Sequence, residues 1–120
     1  MSATDKLREA ARVLRERAEA ATPGEWADMQ MGSEGSIILA NQNPESHRVR
    51  VNTRRIGRFG EFADAEYIAT MHPGVGLALA DWLDTAANNA ERNGWMAGYT
   101  EAMRGTSAVR IADLILGGTR

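Results

Sequence analysis

A run of arginines between His47 and Arg58 is the strongest chemical signal in this sequence. The run consists of Arg48, Arg50, Arg54, Arg55 and Arg58, and no acidic residue lies between Glu45 and Glu61. A guanidinium group binds phosphate in a bidentate manner, so this segment predicts a site for a phosphate-bearing ligand or for a nucleic-acid backbone. The same pattern is also typical of a solvated strand, or of arginines paired with acidic helices of the same fold or of a neighbouring subunit.

Two aromatic residues are candidate partners for the base of such a ligand. Trp26 and Tyr67 could each stack on a base, an interaction worth about 1–3 kcal/mol. A tryptophan at this position more often anchors the junction between a helix and a strand in the core. We therefore predict ligand-binding roles for the five arginines together with Trp26 and Tyr67, while a structural role stays open for each of them.

The sequence offers little for catalysis. It contains two histidines and no cysteine, so a His/Cys metal site lacks its ligands. Nucleophile-elbow, phosphate-loop and dinucleotide-binding motifs are absent from the sequence. Asp81 and Asp84 lie at helical spacing on a polar face, where such pairs are usually solvated. We predict a protein that is not an enzyme and that has no cofactor, no metal and no catalytic residues.

The pattern of apolar residues predicts an α+β fold in one domain spanning residues 1–120. A first helix is expected over residues 4–21, with an apolar seam at Leu7, Ala11, Leu14, Ala18 and Ala21. Residues 25–52 are strand-rich, and strands at 26–31, 36–41 and 48–52 would form a small antiparallel three-stranded meander. Residues 53–62 are expected to be a loop. The meander would pack with the N-terminal and C-terminal helices.

Residues 63–117 are predicted to be helical. Asp64 is the expected N-cap of the first of these helices, and His72 and Pro73 would begin the next. The inward residues of that second helix are expected to be Val75, Leu79, Trp82, Leu83, Ala86 and Ala90. A short helix is expected at 95–104, and Ser107 would cap the last helix.

The composition favours self-association. Hydrophobic residues make up 43% of the chain, but 20 of them are alanines. Because alanine brings little apolar area to a core, a second subunit could complete that core. The net charge of −2 is unevenly spread, since residues 61–120 carry 8 acidic and 4 basic groups. No apolar run is long enough to span a bilayer, and the polar N-terminus is unlike a signal peptide, so we expect a cytoplasmic protein.

Two motifs resemble a known family. The first is Ala21-Thr22-Pro23-Gly24-Glu25-Trp26, and the second is Asp64-Ala65-Glu66-Tyr67-Ile68-Ala69-Thr70-Met71-His72-Pro73 followed by a Leu/Ala-rich helix. Over residues 7–84 the chain resembles Ead-like phage early-region proteins and related proteins of actinobacterial phages and prophages. The resemblance implies a phage accessory protein acting in the host cytoplasm, and it implies no agreed biochemical activity.

Three functions are compatible with these observations. The favoured one is non-enzymatic binding of a small anionic, nucleotide-type ligand, which the protein could sequester as in counter-defence. A nucleic-acid-binding regulator of phage development is the second, although the net negative charge and the lack of a basic recognition helix speak against it. The third is a protein–protein interaction module that works through the N-terminal or C-terminal helix.

Overall fold

Four helices and a three-stranded sheet make up the described part of the chain. The structure, a computed structural model, describes residues 2–41, 53–94, 102 and 105–117. The elements in chain order are α1 (Ala3–Ala20), β1 (Glu25–Gln30), a 3₁₀ turn (Gly32–Glu34), β2 (Ser36–Asn41), β3 (Thr53–Phe59), α2 (Phe62–Thr70), α3 (Pro73–Asn93) and α4 (Ser107–Ile115). The predicted α+β class is confirmed.

The chain divides into two compact units. The helical unit combines the N-terminal residues up to Arg17 with the chain from Leu77 onward, and the sheet unit spans Ala18–Gly76. The single domain over residues 1–120 stays a prediction.

Small side chains build the core of the helical unit. Its buried residues are Leu7, Ala10, Ala11, Ala80, Leu83, Ala87, Ala90, Ala108, Val109 and Ala112. Seven of these ten are alanines, whose size lets helix backbones approach closely. The sequence pattern identified Leu7 and Ala11 on α1 correctly, whereas Leu14 is only half-buried. The few larger side chains, above all Leu7 and Leu83, each bury more apolar area than any one of the alanines.

Trp82 corrects the predicted inward face of α3. Its side chain is 42% exposed, whereas Ala80 and Leu83 on the same helix are fully buried. The buried stripe runs through residues 80, 83, 87 and 90, in alternating steps of three and four. The small alanines thus face the core, and the bulky indole is exposed.

Ion pairs surround the alanine core. Arg15 donates to Asp81 and Asp84 at 3.1 and 2.8 Å, and Lys6 lies 2.8 Å from Asp113. The hydrogen bonds to Asp84 and Asp81 raise the pKa of Arg15 above its ordinary value. Asp81 and Asp84, expected to be merely solvated, therefore connect α3 to α1.

The residues that precede α2, α3 and α4 test the predicted N-caps. His72 Nδ1 accepts a hydrogen bond from the Gly74 amide at 3.1 Å, as expected for a cap before Pro73. The predictions for the other two helices were each wrong. Glu61, in extended conformation, is the N-cap of α2, so Asp64 lies in the first turn. Thr106, whose side chain accepts from the Val109 amide, caps α4 in place of Ser107.

The sheet is an antiparallel meander in the order β1-β2-β3, covered on one face by α2. Ile38 on the central strand packs against Ala65 and Ala69 of α2. The turn between β1 and β2 closes with a 2.7 Å bond from the Met31 amide to the Gly35 carbonyl. Gly35 has φ +87°, and a Cβ there would lie 2.3 Å from the Phe59 carbonyl oxygen, so this turn requires glycine.

The third strand corrects the predicted loop. Residues 53–59 form β3 and α2 begins at Phe62, whereas the sequence predicted a loop over 53–62. Gly57 and adjacent arginines obscure the alternation of polar and apolar residues that identifies a strand. The strand predicted at 48–52 and most of the helix predicted at 95–104 lie outside the described residues.

Leu83→Ala should lower the free energy of unfolding by about 2–5 kcal/mol, because a core of small alanines cannot close the cavity left behind. Urea denaturation followed by circular dichroism measures the loss. Leu114→Ala is the matched control, since Leu114 is 77% exposed and its truncation should change stability by about 0.5 kcal/mol or less. Equal effects of the two variants would contradict the assignment of the core.

Arg12 should hold the pKa of the Glu9 carboxyl below its ordinary value, chiefly through their hydrogen bond. The ion pair therefore contributes stability at neutral pH, which is lost as the pH falls through the lowered pKa of Glu9. An NMR titration of the Glu9 carboxyl carbon should show that Arg12→Gln raises this pKa. An unchanged pKa in the variant would show that the pair does not form in solution.

Candidate functional site

A β-bulge in β3 organises the candidate site. Ile38 pairs with Gly57 and Leu39 pairs with Arg55, so Ile56 is an extra residue between two consecutive pairs. Ile56 packs against the cluster formed by Ile38, Ala65 and Ala69, on the side of the sheet that α2 covers. Two residues of β3 therefore oppose one residue of β2, as in other bulges.

The bulge brings Arg55 and Arg58 to the same face of the sheet. In a regular strand, residues three apart point to opposite faces. In this sheet Arg55 pairs with Leu39 and Arg58 pairs with Ile37, and both partners alternate with the inward-facing Ile38. Both arginines therefore lie on the face opposite α2, which we call the arginine face.

Arg55 and Arg58 differ in their partners. Arg58 Nη2 lies 3.1 Å from Glu34 Oε2, and both side chains are largely exposed, at 47% and 64%. Arg55 is exposed and has no hydrogen-bond or ion-pair partner among the described residues. Within the described part of the chain, the pair thus offers one guanidinium without a partner and one paired with an exposed carboxylate, and such an exposed pair adds little to stability.

Apolar side chains fill the centre of the arginine face. Ile37 and Leu39 of β2 pair with Met29 and Ala27 of β1, and all four are half-buried. Glu25 begins the same row on β1 and is exposed. Sequence reasoning assigned none of these residues to the site. The alternation in β2 could have shown that Ile37 and Leu39 share a face, but not that two arginines lie beside them.

Trp26 has a structural environment. Its indole N–H donates to the Thr22 carbonyl at 3.0 Å, and its ring packs against the cluster of Ile38, Ala65 and Ala69. It pairs with Ala40, so it lies on the face that α2 covers and not on the arginine face. The junction-anchoring role considered for this tryptophan accounts for these contacts.

Tyr67 also lies away from the two arginines. It is 69% exposed on α2, whose buried residues Ala65 and Ala69 face the sheet. The sheet therefore separates Tyr67 from Arg55 and Arg58.

The remaining predicted arginines are Arg48, Arg50 and Arg54. Arg48 and Arg50 lie outside the described residues. Arg54 belongs to β3, where its backbone is paired with Ala40. Of the seven predicted site residues, the structure thus brings together Arg55 and Arg58 and places Trp26 and Tyr67 elsewhere in the sheet unit.

The described residues also bear on metal binding and membrane insertion. Among the described residues, no group of three or more His, Cys, Asp or Glu side chains is arranged to hold a metal ion. Within the same ranges, no helix has the length and apolar character needed to cross a membrane.

Comparison with known proteins identifies the family. No curated protein and no solved structure matches the chain. The family model described as Ead/Ea22-like protein matches residues 2–114, which is nearly the whole chain and includes both motifs that carry the resemblance. The chain therefore belongs to the Ead/Ea22-like family and is a phage-type accessory protein.

Proposed function

We propose that this phage accessory protein is non-enzymatic and binds a small anionic ligand of the nucleotide type on its arginine face. By holding that ligand, it would sequester it from the host, as in counter-defence. The observation that carries the proposal is the bulge at Ile56, which aligns Arg55 and Arg58 on one side of the sheet. Two guanidiniums on one face can bind the two or more charges of a phosphate group.

The electrostatics of Arg55 and Arg58 support this proposal. Arg55 has no partner among the described residues, and Arg58 is paired with a carboxylate on the exposed turn. Arg8, Arg12 and Arg15 of the helical unit, by contrast, are each paired with acidic side chains of that unit. A dianion can replace Glu34 at Arg58 at little cost, because exposed ion pairs contribute little to stability.

The centre of the arginine face suits the uncharged part of such a ligand. Ile37 and Leu39 offer a half-buried aliphatic surface directly beside the two arginines. A flat base can pack there and remove apolar surface from water. In this proposal, the central strand makes the contact that the sequence predicted for Trp26 and Tyr67.

A small ligand fits this face better than a nucleic-acid strand. Glu25 lies on the β1 side of the arginine face, and Glu34 lies in the turn beside Arg58. A long polyanion that runs across the sheet would meet these carboxylates, whereas a single nucleotide need contact only the two arginines. Salt-dependent binding of DNA, with no binding of nucleotides, would support the regulator instead.

Arg55→Gln should weaken binding of inorganic pyrophosphate and of nucleoside diphosphates about 10- to 100-fold, because hydrogen bonds to charged groups contribute about 1.5–3 kcal/mol. Isothermal titration calorimetry at low protein concentration measures the change. Arg110→Gln is the matched control: Arg110 is also exposed and lies on α4, outside the sheet. Equal effects of the two variants, or no binding by the unmodified protein, would contradict the proposed site.

The natural ligand can be sought directly. Mass spectrometry of small molecules released by heating the purified native protein should detect a phosphorylated compound. The Arg55→Gln protein, prepared in parallel, should release less of it. A native protein that releases nothing and binds none of the nucleotides offered would favour the protein–protein module.

A further inference from the structure

The arginine face carries opposite charges on its two outer strands. Glu25 lies on β1, whereas Arg55 and Arg58 lie on β3. Between them, the four apolar side chains described above line the same face. The order across the sheet is therefore acidic, apolar and basic.

Such a face is complementary to itself. When two sheets pack face to face around a twofold axis parallel to β2, each β1 lies over the β3 of the other copy. Glu25 then lies over the end of β3 near Thr53, and Arg55 is two residues further along, about 7 Å away. The carboxylate and the guanidinium are long enough to bridge that separation.

The charges also select against the other symmetric arrangement. A twofold axis that crosses the strands would place β1 over β1 and β3 over β3. Arg55 and Arg58 would then face the arginines of the second copy. Because like charges across an interface are unfavourable, this orientation is disfavoured.

We propose that the arginine face is a self-association surface, and that its occupant is a second copy of this chain related by the axis parallel to β2. Ile37 and Leu39 of the two copies form the centre of the interface, and Glu25 of each copy pairs with Arg55 of the other. This inference goes beyond the proposed function, because it assigns a macromolecular partner to the same surface.

The size of the face makes the dimer weak and reversible. Three strands of about six residues form a face of about 14 by 20 Å. The area of this face is well below the roughly 800 Å² that each partner buries in a typical stable complex. We therefore expect a dissociation constant in the micromolar range or above. A ligand that occupies Arg55 and Arg58 competes with the second copy, so ligand binding should dissociate the dimer.

Exchanging the two charges tests the interface. Arg55→Glu and Glu25→Arg should each weaken the dimer about tenfold, because each change creates two like-charge contacts per symmetric dimer. The double variant should restore the native dissociation constant, since the pair is re-formed with its charges exchanged. Sedimentation equilibrium over micromolar to millimolar concentrations measures all four proteins, and thermal unfolding checks that each is folded.

The controls carry the same charge changes outside the sheet. Arg110→Glu on α4 and Glu19→Arg on α1 alter exposed side chains and should leave the dissociation constant unchanged. A chain that stays monomeric up to millimolar concentration would overturn the proposal. A dimer that the charge exchange does not rescue would do the same.

Inorganic pyrophosphate separates this inference from the proposed function. A dimer that pyrophosphate dissociates supports both. A rescued dimer to which pyrophosphate does not bind supports self-association and contradicts the anion site. A monomer that binds pyrophosphate through Arg55 overturns self-association and leaves the anion site standing.

Discussion

An extra residue in β3, Ile56, decides which side chains of the sheet lie beside one another. Because Ile56 is inserted opposite Ile38, its side chain packs into the cluster under α2. The same insertion places Arg58 on the face of the sheet where Arg55 lies. Without the bulge, Arg55 and Arg58 would point to opposite faces. The candidate site therefore depends on a local irregularity of the backbone.

The two units of the chain use charge in different ways. In the helical unit, Arg8 and Arg15 reach from α1 to acidic residues of α3, around a core composed mostly of alanine. Those guanidiniums are satisfied within the unit. In the sheet unit, Arg55 and Arg58 lie beside half-buried aliphatic side chains, and Arg58 pairs with an exposed glutamate. Membership of the Ead/Ea22-like family provides the phage setting. The contrast in charge pairing favours the sheet unit as the location of the candidate site.

Much of the architecture could be predicted from local patterns. The period of Leu7 and Ala11, the Pro23-Gly24 break and the Pro73 start bound the helices closely, because helical periodicity and proline geometry act over a few residues. β3 was missed, since its arginines, Gly57 and bulge remove the alternation that signals a strand. Trp82 was placed inward because periodicity reports the direction of a face, but not how much room the core has for an indole.

The sequence by itself determined the α+β class, the order of the four described helices and of the first two strands, the concentration of arginine after His47 and the family. Each of these depends on composition or on neighbours along the chain. The tertiary structure alone decided which residues share a surface. It placed Trp26 and Tyr67 away from Arg55 and Arg58, and it placed these two arginines beside Ile37 and Leu39. Strand register and the bulge set these relations, and both arise from pairing between segments distant in sequence, which local residue patterns do not encode.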